Sequence, residues 1–226
     1  MPIKHVCFDC DGTLYETTAE LNKDINLVVS EYLSKQLNMP RTDLMDDYLK
    51  RVKKYKTKTK AISSYGFSEE IAREIINKID IASFVKPDTK LVDMICELSA
   101  KGISVSIFTN NKSSTLENIL DNLGFPKKSF NFTVTAEKVP PKPSIEGYLH
   151  VLRESKTPAY NLLFVGDRLE ADIEPARQTG MHTMQVRSPE KTIDFDEKSK
   201  TYHFKRKDIY QVPKVIRIVD FLLLRQ

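Results

Sequence analysis

Apolar residues along this 226-residue chain recur with two different periods. Short continuous or alternating runs read as strands: residues 3–8 (Ile-Lys-His-Val-Cys-Phe), 103–108 (Ile-Ser-Val-Ser-Ile-Phe) and 162–165 (Leu-Leu-Phe-Val), with shorter candidates at 132–135 and 183–186. Between them, apolar positions fall three and four apart, the spacing of a helix with one buried face. Asp88 opens one such stretch, Leu91, Ile95 and Leu98 line it, and Lys101-Gly102 close it. Ser114 and Glu117 read as a capping box for a second, striped by Leu116, Ile119, Leu120 and Leu123 and stopped by Gly124. Pro143 suits the first turn of a third, which bears Ile145, Tyr148, Leu149 and Leu152. Strands alternating with helices predict an α/β fold: a doubly wound, mostly parallel sheet with helices on both faces.

The first crossover breaks this pattern. About ninety residues separate Thr13 from the strand at 103, where a parallel crossover needs only about a dozen. The excess keeps helical spacing: Leu21, Ile25, Val28 and Tyr32; Leu44, Tyr48, Val52 and Tyr55; Ile71, Ile75 and Ile79. Residues 16–84 therefore read as a helical subdomain inserted into a core made of residues 1–15 and 85–226, with Phe84-Val85-Lys86-Pro87 as the return hinge. Near the far end, Val215, Ile218, Val219 and Leu222 form a helix-like stripe expected to pack on the core.

Hydrophobic residues make up 40% and charged residues 29% of the chain, which excludes a low-hydrophobicity disordered protein. The longest apolar runs, such as Leu162–Val165 and Phe221–Leu224, fall far short of the ~20 residues of a membrane span. No secretory leader pattern is visible, and no membrane partner is expected. Three cysteines, an odd count, make no disulfide framework, so a reducing cytoplasm is the expected compartment.

The net charge of +4 is local in origin: Lys50, Arg51, Lys53, Lys54, Lys56, Lys58 and Lys60 come with no acid among them, and without those seven the net +4 becomes −3. A solvated helix face is the bland reading of that run. A collar attracting an anionic substrate is the second. Tyr55 is its one aromatic for stacking, which argues against nucleic acid.

In a doubly wound sheet, ligands bind beyond the carboxyl ends of the strands. Three predicted strands end in site-like residues: Asp9 and Asp11, Thr109 and Asn110, and Asp167 with Asp172 close behind. Lys142 joins them from a loop stiffened by Pro140, Pro141 and Pro143. Side chains two apart on an extended segment face the same way, so Asp9 and Asp11 can address one substrate. Several carboxylates, a lysine and a hydroxyl suit a hard cation plus a phosphate, and Mg²⁺ is typically held by one or two carboxylates together with substrate phosphate. Each residue alone is more often an ordinary loop acid, turn residue or solvated lysine, and Asp172 could cap a helix running to Gly180. The conjunction is what points to chemistry. Cys7-x-x-Cys10 lacks a second pair, and His5, His150, His182 and His203 lack zinc spacing.

Four segments resemble the motifs of the haloacid dehalogenase-like hydrolase superfamily, in the family's order: Asp9-Cys10-Asp11-Gly12-Thr13-Leu14, Thr109 after a hydrophobic strand, Lys142, and Gly166-Asp167-Arg168-Leu169-Glu170-Ala171-Asp172. The inserted segment stands where that family's C1 cap sits. The resemblance implies that Asp9 is a nucleophile forming an aspartyl-phosphate and that Asp11 is a general acid and base. It also implies that Thr109 and Asn110 bind the phosphoryl group and that Lys142 neutralises its charge. Mg²⁺ would be held by Asp9, the Asp11 carbonyl and Asp167, with Asp172 supporting the metal or Lys142. Asp11 argues against the dehalogenase members, which need no acid for a leaving halide, and Gly12-Thr13 departs from the ATPase-type Lys-Thr-Gly. The implied substrate is a small-molecule phosphate ester. Pyrimidine 5′-nucleotidase-like and phosphoglycolate phosphatase-like members are both similar, while a phosphomutase or a non-catalytic binding protein would keep the same fold. Oligomeric state is left open.

Overall fold

The computed structural model describes residues 2–55 and 57–186, with short strand segments at 195–196, 201–202 and 210–212. The stripe from Val215 to Leu222 lies outside the described residues. The chain forms two compact units, Met1–Glu16 with Val85–Gln226, and Thr17–Phe84.

The first unit is built on β1 (His5–Phe8), β2 (Ser104–Phe108), β3 (Phe132–Val134), β4 (Leu162–Gly166) and β5 (His182–Val186). A separate antiparallel pair joins β6 (Phe195–Asp196) to β7 (Thr201–Tyr202), and β8 (Tyr210–Val212) adds to the edge of the main sheet. The main sheet runs β3-β2-β1-β4-β5-β8 with every neighbouring pair parallel. It is the α/β fold expected. Residues of β1 and β4 are buried throughout, as strands covered on both faces must be. The chain steps outward from β1 to β3, then returns to lay β4 on the other side of β1. That reversal opens a crevice at the carboxyl ends of β1 and β4. Phe8 is in register with Ile107 and with Val165, so Asp9, Thr109 and Asp167 all emerge within a residue of the same level.

The second unit contains α1 (Ala19–Leu37), α2 (Arg41–Tyr55), α3 (Lys58–Ser63) and α4 (Glu69–Ile76). Thr18, Thr57 and Ser68 cap α1, α3 and α4 through their hydroxyls, each cap contributing about 1 kcal/mol. The buried stripe of α1 is Leu21, Ile25, Val29 and Leu33, with Val28 and Tyr32 half-buried beside it. On α2 only Leu44 and Tyr48 are buried, and Tyr55 is exposed. Ile71 is exposed on α4, and Ile79 lies beyond the helix end. The basic run is not one helix face. It is divided at Thr57 between α2 and α3. Arg51 pairs with Asp47 at 2.7 Å, donates to Ser64 and lies 4.0 Å over the Tyr65 ring, and Lys58 donates to Asn22 at 2.6 Å.

Among the described residues, α5 (Thr89–Ala100), α6 (Ser113–Leu123), α7 (Ile145–Ser155) and α8 (Glu174–Gln178) accompany the main sheet. Asp88 caps α5 as expected, accepting from Leu91 N at 3.1 Å. Two expected helix starts are corrected. Ser114 is already inside α6, whose first turn is satisfied from outside by Glu137 accepting from Ser113 N at 2.8 Å. Pro143 precedes Ser144, which is the cap of α7, so it lies outside the first turn.

His5 is buried on β1, its Nε2 within 2.7 Å of Ser106 Oγ, and burial pushes its pKa down from 6.5 to about 4. Between those two values the unfolded chain takes up a proton that the folded chain refuses, so stability falls as pH drops through that window. The expected loss is up to roughly 3 kcal/mol. His5→Gln keeps a partner for Ser106 and cannot titrate. Urea unfolding of both proteins from pH 7 to pH 4 should show a shallower decline for the variant.

Candidate active site

The strand ends converge. Asp9, directly after β1, is buried and its N–H donates to the Val165 carbonyl at 2.8 Å. Its Oδ2 accepts from the Thr13 hydroxyl at 3.2 Å, and its Oδ1 is bonded to Lys142 Nζ. The same ammonium donates to Asp172 Oδ1 at 2.6 Å. One carboxylate oxygen from each of Asp9, Asp167 and Asp172 fits within 4.8 Å of the others, the metal-type cluster of acid, histidine or cysteine groups found among the described residues.

Local sequence explains how these groups are held. Asn110 brackets the main chain of Lys142, its Oδ1 accepting from Lys142 N at 2.7 Å and its Nδ2 donating to the Lys142 carbonyl at 3.2 Å. The Asn110 amide is thus engaged with the lysine's backbone, a bracing position that the expectation of a phosphate contact did not include. The Lys142 ammonium lies 5.5 Å from the Phe108 ring centre and 6.0 Å from that of Phe164, so an aromatic floor excludes water beneath it. Tyr148 packs edge-on against both rings, and its hydroxyl donates to the Ala171 carbonyl, tying α7 to the turn that carries Asp172.

That turn is π-helical, Leu169–Ile173, a distortion often found at functional sites. Asp172 does not cap the helix that follows. Its Oδ2 accepts from Arg168 N at 3.0 Å while its Oδ1 holds Lys142, and α8 has no side-chain cap. Gly166 allows this approach, because a Cβ there would lie 2.4 Å from Asp172 Cβ. Gly12, at φ +80°, does the same for Asp167, whose Oδ2 would lie 2.7 Å from a Cβ at that position.

The electrostatics follow from burial and crowding. Burial and then Asp172 push the Asp9 carboxyl above its ordinary range, with Lys142 and Arg168 pulling the other way. Burial, then Asp9 and Asp172, raise Asp167 to about 8. Burial would raise Asp172 as well, but Lys142 and Arg168 hold it below the usual range. Lys142 keeps its proton because Asp172 and Asp9 outweigh its desolvation. Three carboxylates therefore share one fully buried cation and the half-exposed Arg168, which lies 3.7 Å from Asp167 and 3.6 Å from Asp172. Asp167 Oδ1 is buried without a hydrogen bond. Hard oxygen donors, an orphaned oxygen and unbalanced negative charge fit a divalent cation such as Mg²⁺.

Asp11 is held by two residues that sequence reasoning missed. Tyr15 donates to its Oδ1, and Asn111 Nδ2 donates to its Oδ2 at 2.8 Å. Thr109 is buried, its Oγ accepting from Asn111 N at 3.1 Å. Cys7 and Cys10 are buried free thiols, and burial pushes Cys7 up to about 12, which suits packing rather than metal or redox chemistry.

Acids and a buried lysine thus gather at the switch point of a doubly wound sheet. The chain belongs to the haloacid dehalogenase-like hydrolase family, whose profile matches residues 3–180. Among individual proteins, it is 24% identical over 214 residues to the glyceraldehyde 3-phosphate phosphatase of Methanocaldococcus jannaschii, covering 87% of this chain and 91% of that one. The fold is similar to a haloacid dehalogenase-like hydrolase structure from Bacteroides fragilis, with TM-score 0.69, 22% identity, and coverage of 96% and 99% of the two chains. It is also similar to a phosphatase of the same superfamily from Thermococcus onnurineus, with TM-score 0.68, 16% identity, and coverage of 97% and 98%. No helix among the described residues is long and apolar enough to cross a membrane.

Proposed function

We propose that this protein is a Mg²⁺-dependent phosphatase that hydrolyses the monoester of a small phosphorylated metabolite through an aspartyl-phosphate on Asp9. The observation that carries the reading is Lys142 Nζ bonded to both Asp9 and Asp172 beneath the open end of the sheet. A buried ammonium fixed against a nucleophile's carboxylate is placed to receive charge from a phosphoryl group arriving there. Asp9 would attack phosphorus, dividing a hard hydrolysis into two easier displacements. Asp11 would protonate the departing ester oxygen, then take the proton of the attacking water. Thr109 would donate to a phosphoryl oxygen.

Asp9, Asp167 and the Asp11 carbonyl would hold Mg²⁺, with Asp172 behind them fixing Lys142. The bound ion would offset repulsion between the Asp9 carboxylate and the anionic substrate. The residues of Thr17–Phe84 would serve as a cap that selects the substrate. Likeness to a glyceraldehyde 3-phosphate phosphatase favours a small sugar or acid phosphate over a nucleoside 5′-monophosphate.

Phosphate release from 4-nitrophenyl phosphate, glyceraldehyde 3-phosphate, phosphoglycolate, UMP and CMP, with Mg²⁺ and with chelator, tests this reading. Hydrolysis should require Mg²⁺ and be fastest on one of the two small metabolites. Equal rates in chelator, or no release from any ester, would contradict it. A phosphomutase would instead move the group within a sugar phosphate without releasing it.

Mg²⁺ should also raise the unfolding temperature of the wild-type protein, since a ligand at 100 times its Kd contributes about 2.7 kcal/mol. Asp167→Asn removes one ligand and one of three crowded carboxyl groups. It should melt no lower than wild type in chelator and lose most of the Mg²⁺ shift. A full shift in that variant would remove Asp167 from the metal site.

A further inference from the structure

Asp11 is restrained from two directions. Residues 10–15 fold into a tight turn, Leu14 N and Thr13 N both donating to the Cys10 carbonyl at 2.9 and 3.2 Å, and Asp11 and Tyr15 form a single β-bridge. That turn brings the Tyr15 hydroxyl back onto Asp11 Oδ1. Asn111 arrives from the end of β2, its own N–H anchored on Thr109, and donates to the other oxygen at 2.8 Å. Asn111 is buried, whereas Asp11 is half-exposed. A carboxylate on a half-exposed turn would otherwise sample several rotamers, and ordering a side chain has an entropic cost.

We propose that Tyr15 and Asn111 are positioning residues that aim the Asp11 carboxyl at the ester oxygen. The inference rests on the reading of Asp11 as proton donor given above. Each carboxylate oxygen has two acceptor sites. Tyr15 and Asn111 occupy one on each oxygen, which leaves a site on either for the proton in transit.

In the transfer step an Asp9 oxygen bonds to phosphorus and the ester P–O bond breaks. Its electron pair stays on the ester oxygen, which takes the proton from the Asp11 carboxyl. In the return step a water oxygen bonds to phosphorus and its proton passes to the Asp11 carboxylate. The bond to Asp9 then breaks, and its pair restores the Asp9 carboxylate. Only the first step depends on how badly the leaving group needs a proton. Misaiming Asp11 slows both steps, since each needs it within hydrogen-bond reach, but kcat/KM reports the first alone, and there the loss grows with the leaving group's need for a proton.

The test compares kcat/KM for phenyl phosphate, whose leaving oxygen needs protonation, with 4-nitrophenyl phosphate, whose phenolate leaves without it. Tyr15→Phe keeps the ring and removes the hydroxyl. It should lower kcat/KM for phenyl phosphate by about 10- to 100-fold, and for 4-nitrophenyl phosphate by no more than about 3-fold. Asn111→Ala should give the same split and decides the matter if Tyr15→Phe does not fold. Equal losses on both esters would indicate a purely structural role and overturn the inference, as would no loss on either. Asp11→Asn, assayed alongside, should show a larger form of the same split. If it shows none, the assignment of Asp11 as the acid fails, and this inference fails with it.

Discussion

Asp9→Asn should cut kcat by about four orders of magnitude or more, the scale seen when a covalent nucleophile is removed, while the protein stays folded. The amide cannot form the phosphorylated carboxylate, yet it keeps the size of Asp9 and an oxygen for the Thr13 hydroxyl. Stability should not suffer, because Asp9 is one of two carboxylates bonded to a single buried lysine, with Asp167 crowded beside them. Burial and Asp172 already push its carboxyl above the ordinary range, which means that its charge is costly where it sits. Removing it leaves the pair of Lys142 with Asp172 intact at 2.6 Å. In chelator, the melting temperature should therefore equal or exceed that of wild type. A folded Asp9→Asn variant with near wild-type kcat would remove Asp9 as the nucleophile. An unfolded one would contradict the charge balance described for the site.

Lys142→Met should have the opposite profile, losing stability as well as activity. Methionine fills much of the same space, but Asp9 and Asp172 are then left buried without their shared cation. Breaking a buried ion pair from one side costs about 3–5 kcal/mol, a large share of the ~5–15 kcal/mol that holds a typical domain together. Urea unfolding in chelator should show a loss on that scale. Adding Asp172→Asn to Lys142→Met should recover part of it, because the second change removes one of the two stranded acids, and the double-mutant cycle measures that coupling. Mg²⁺ should recover another part by supplying positive charge to the same carboxylates. A loss below about 1 kcal/mol for the single variant would mean that the ion pair contributes little to the fold.

The strands and the residues at their ends were legible because strand ends and parallel order are carried by local runs, and the sheet then brings distant ends together. Asp9, Thr109 and Asp167 each follow directly on an apolar strand. The buried face of α1 was legible only to within one residue. Val28-Val29 and Tyr32-Leu33 are both apolar pairs, and spacing alone cannot choose between neighbours. Packing chose Val29 and Leu33. The start of α6 was missed because its first N–H is satisfied by Glu137, an acid 24 positions away rather than within the helix.

The partners of Asp11 were hidden for two different reasons. Tyr15 reaches Asp11 only through a turn that Gly12 permits with positive φ, and Asn111 lies 100 positions away. The signal for Asn111 was present in Thr109-Asn110-Asn111 at a strand end. What the sequence could not say is which asparagine turns toward Lys142 and which toward Asp11.

Trapping the covalent intermediate tests the central claim most directly. Borohydride reduces an acyl phosphate on an aspartate to homoserine, which peptide mass spectrometry locates. Wild-type protein mixed with Mg²⁺ and 4-nitrophenyl phosphate, then quenched into borohydride, should yield homoserine at position 9 only when substrate is present. Homoserine at Asp11 or Asp167 instead, or no reduction anywhere while the ester is being turned over, would contradict nucleophilic catalysis by Asp9.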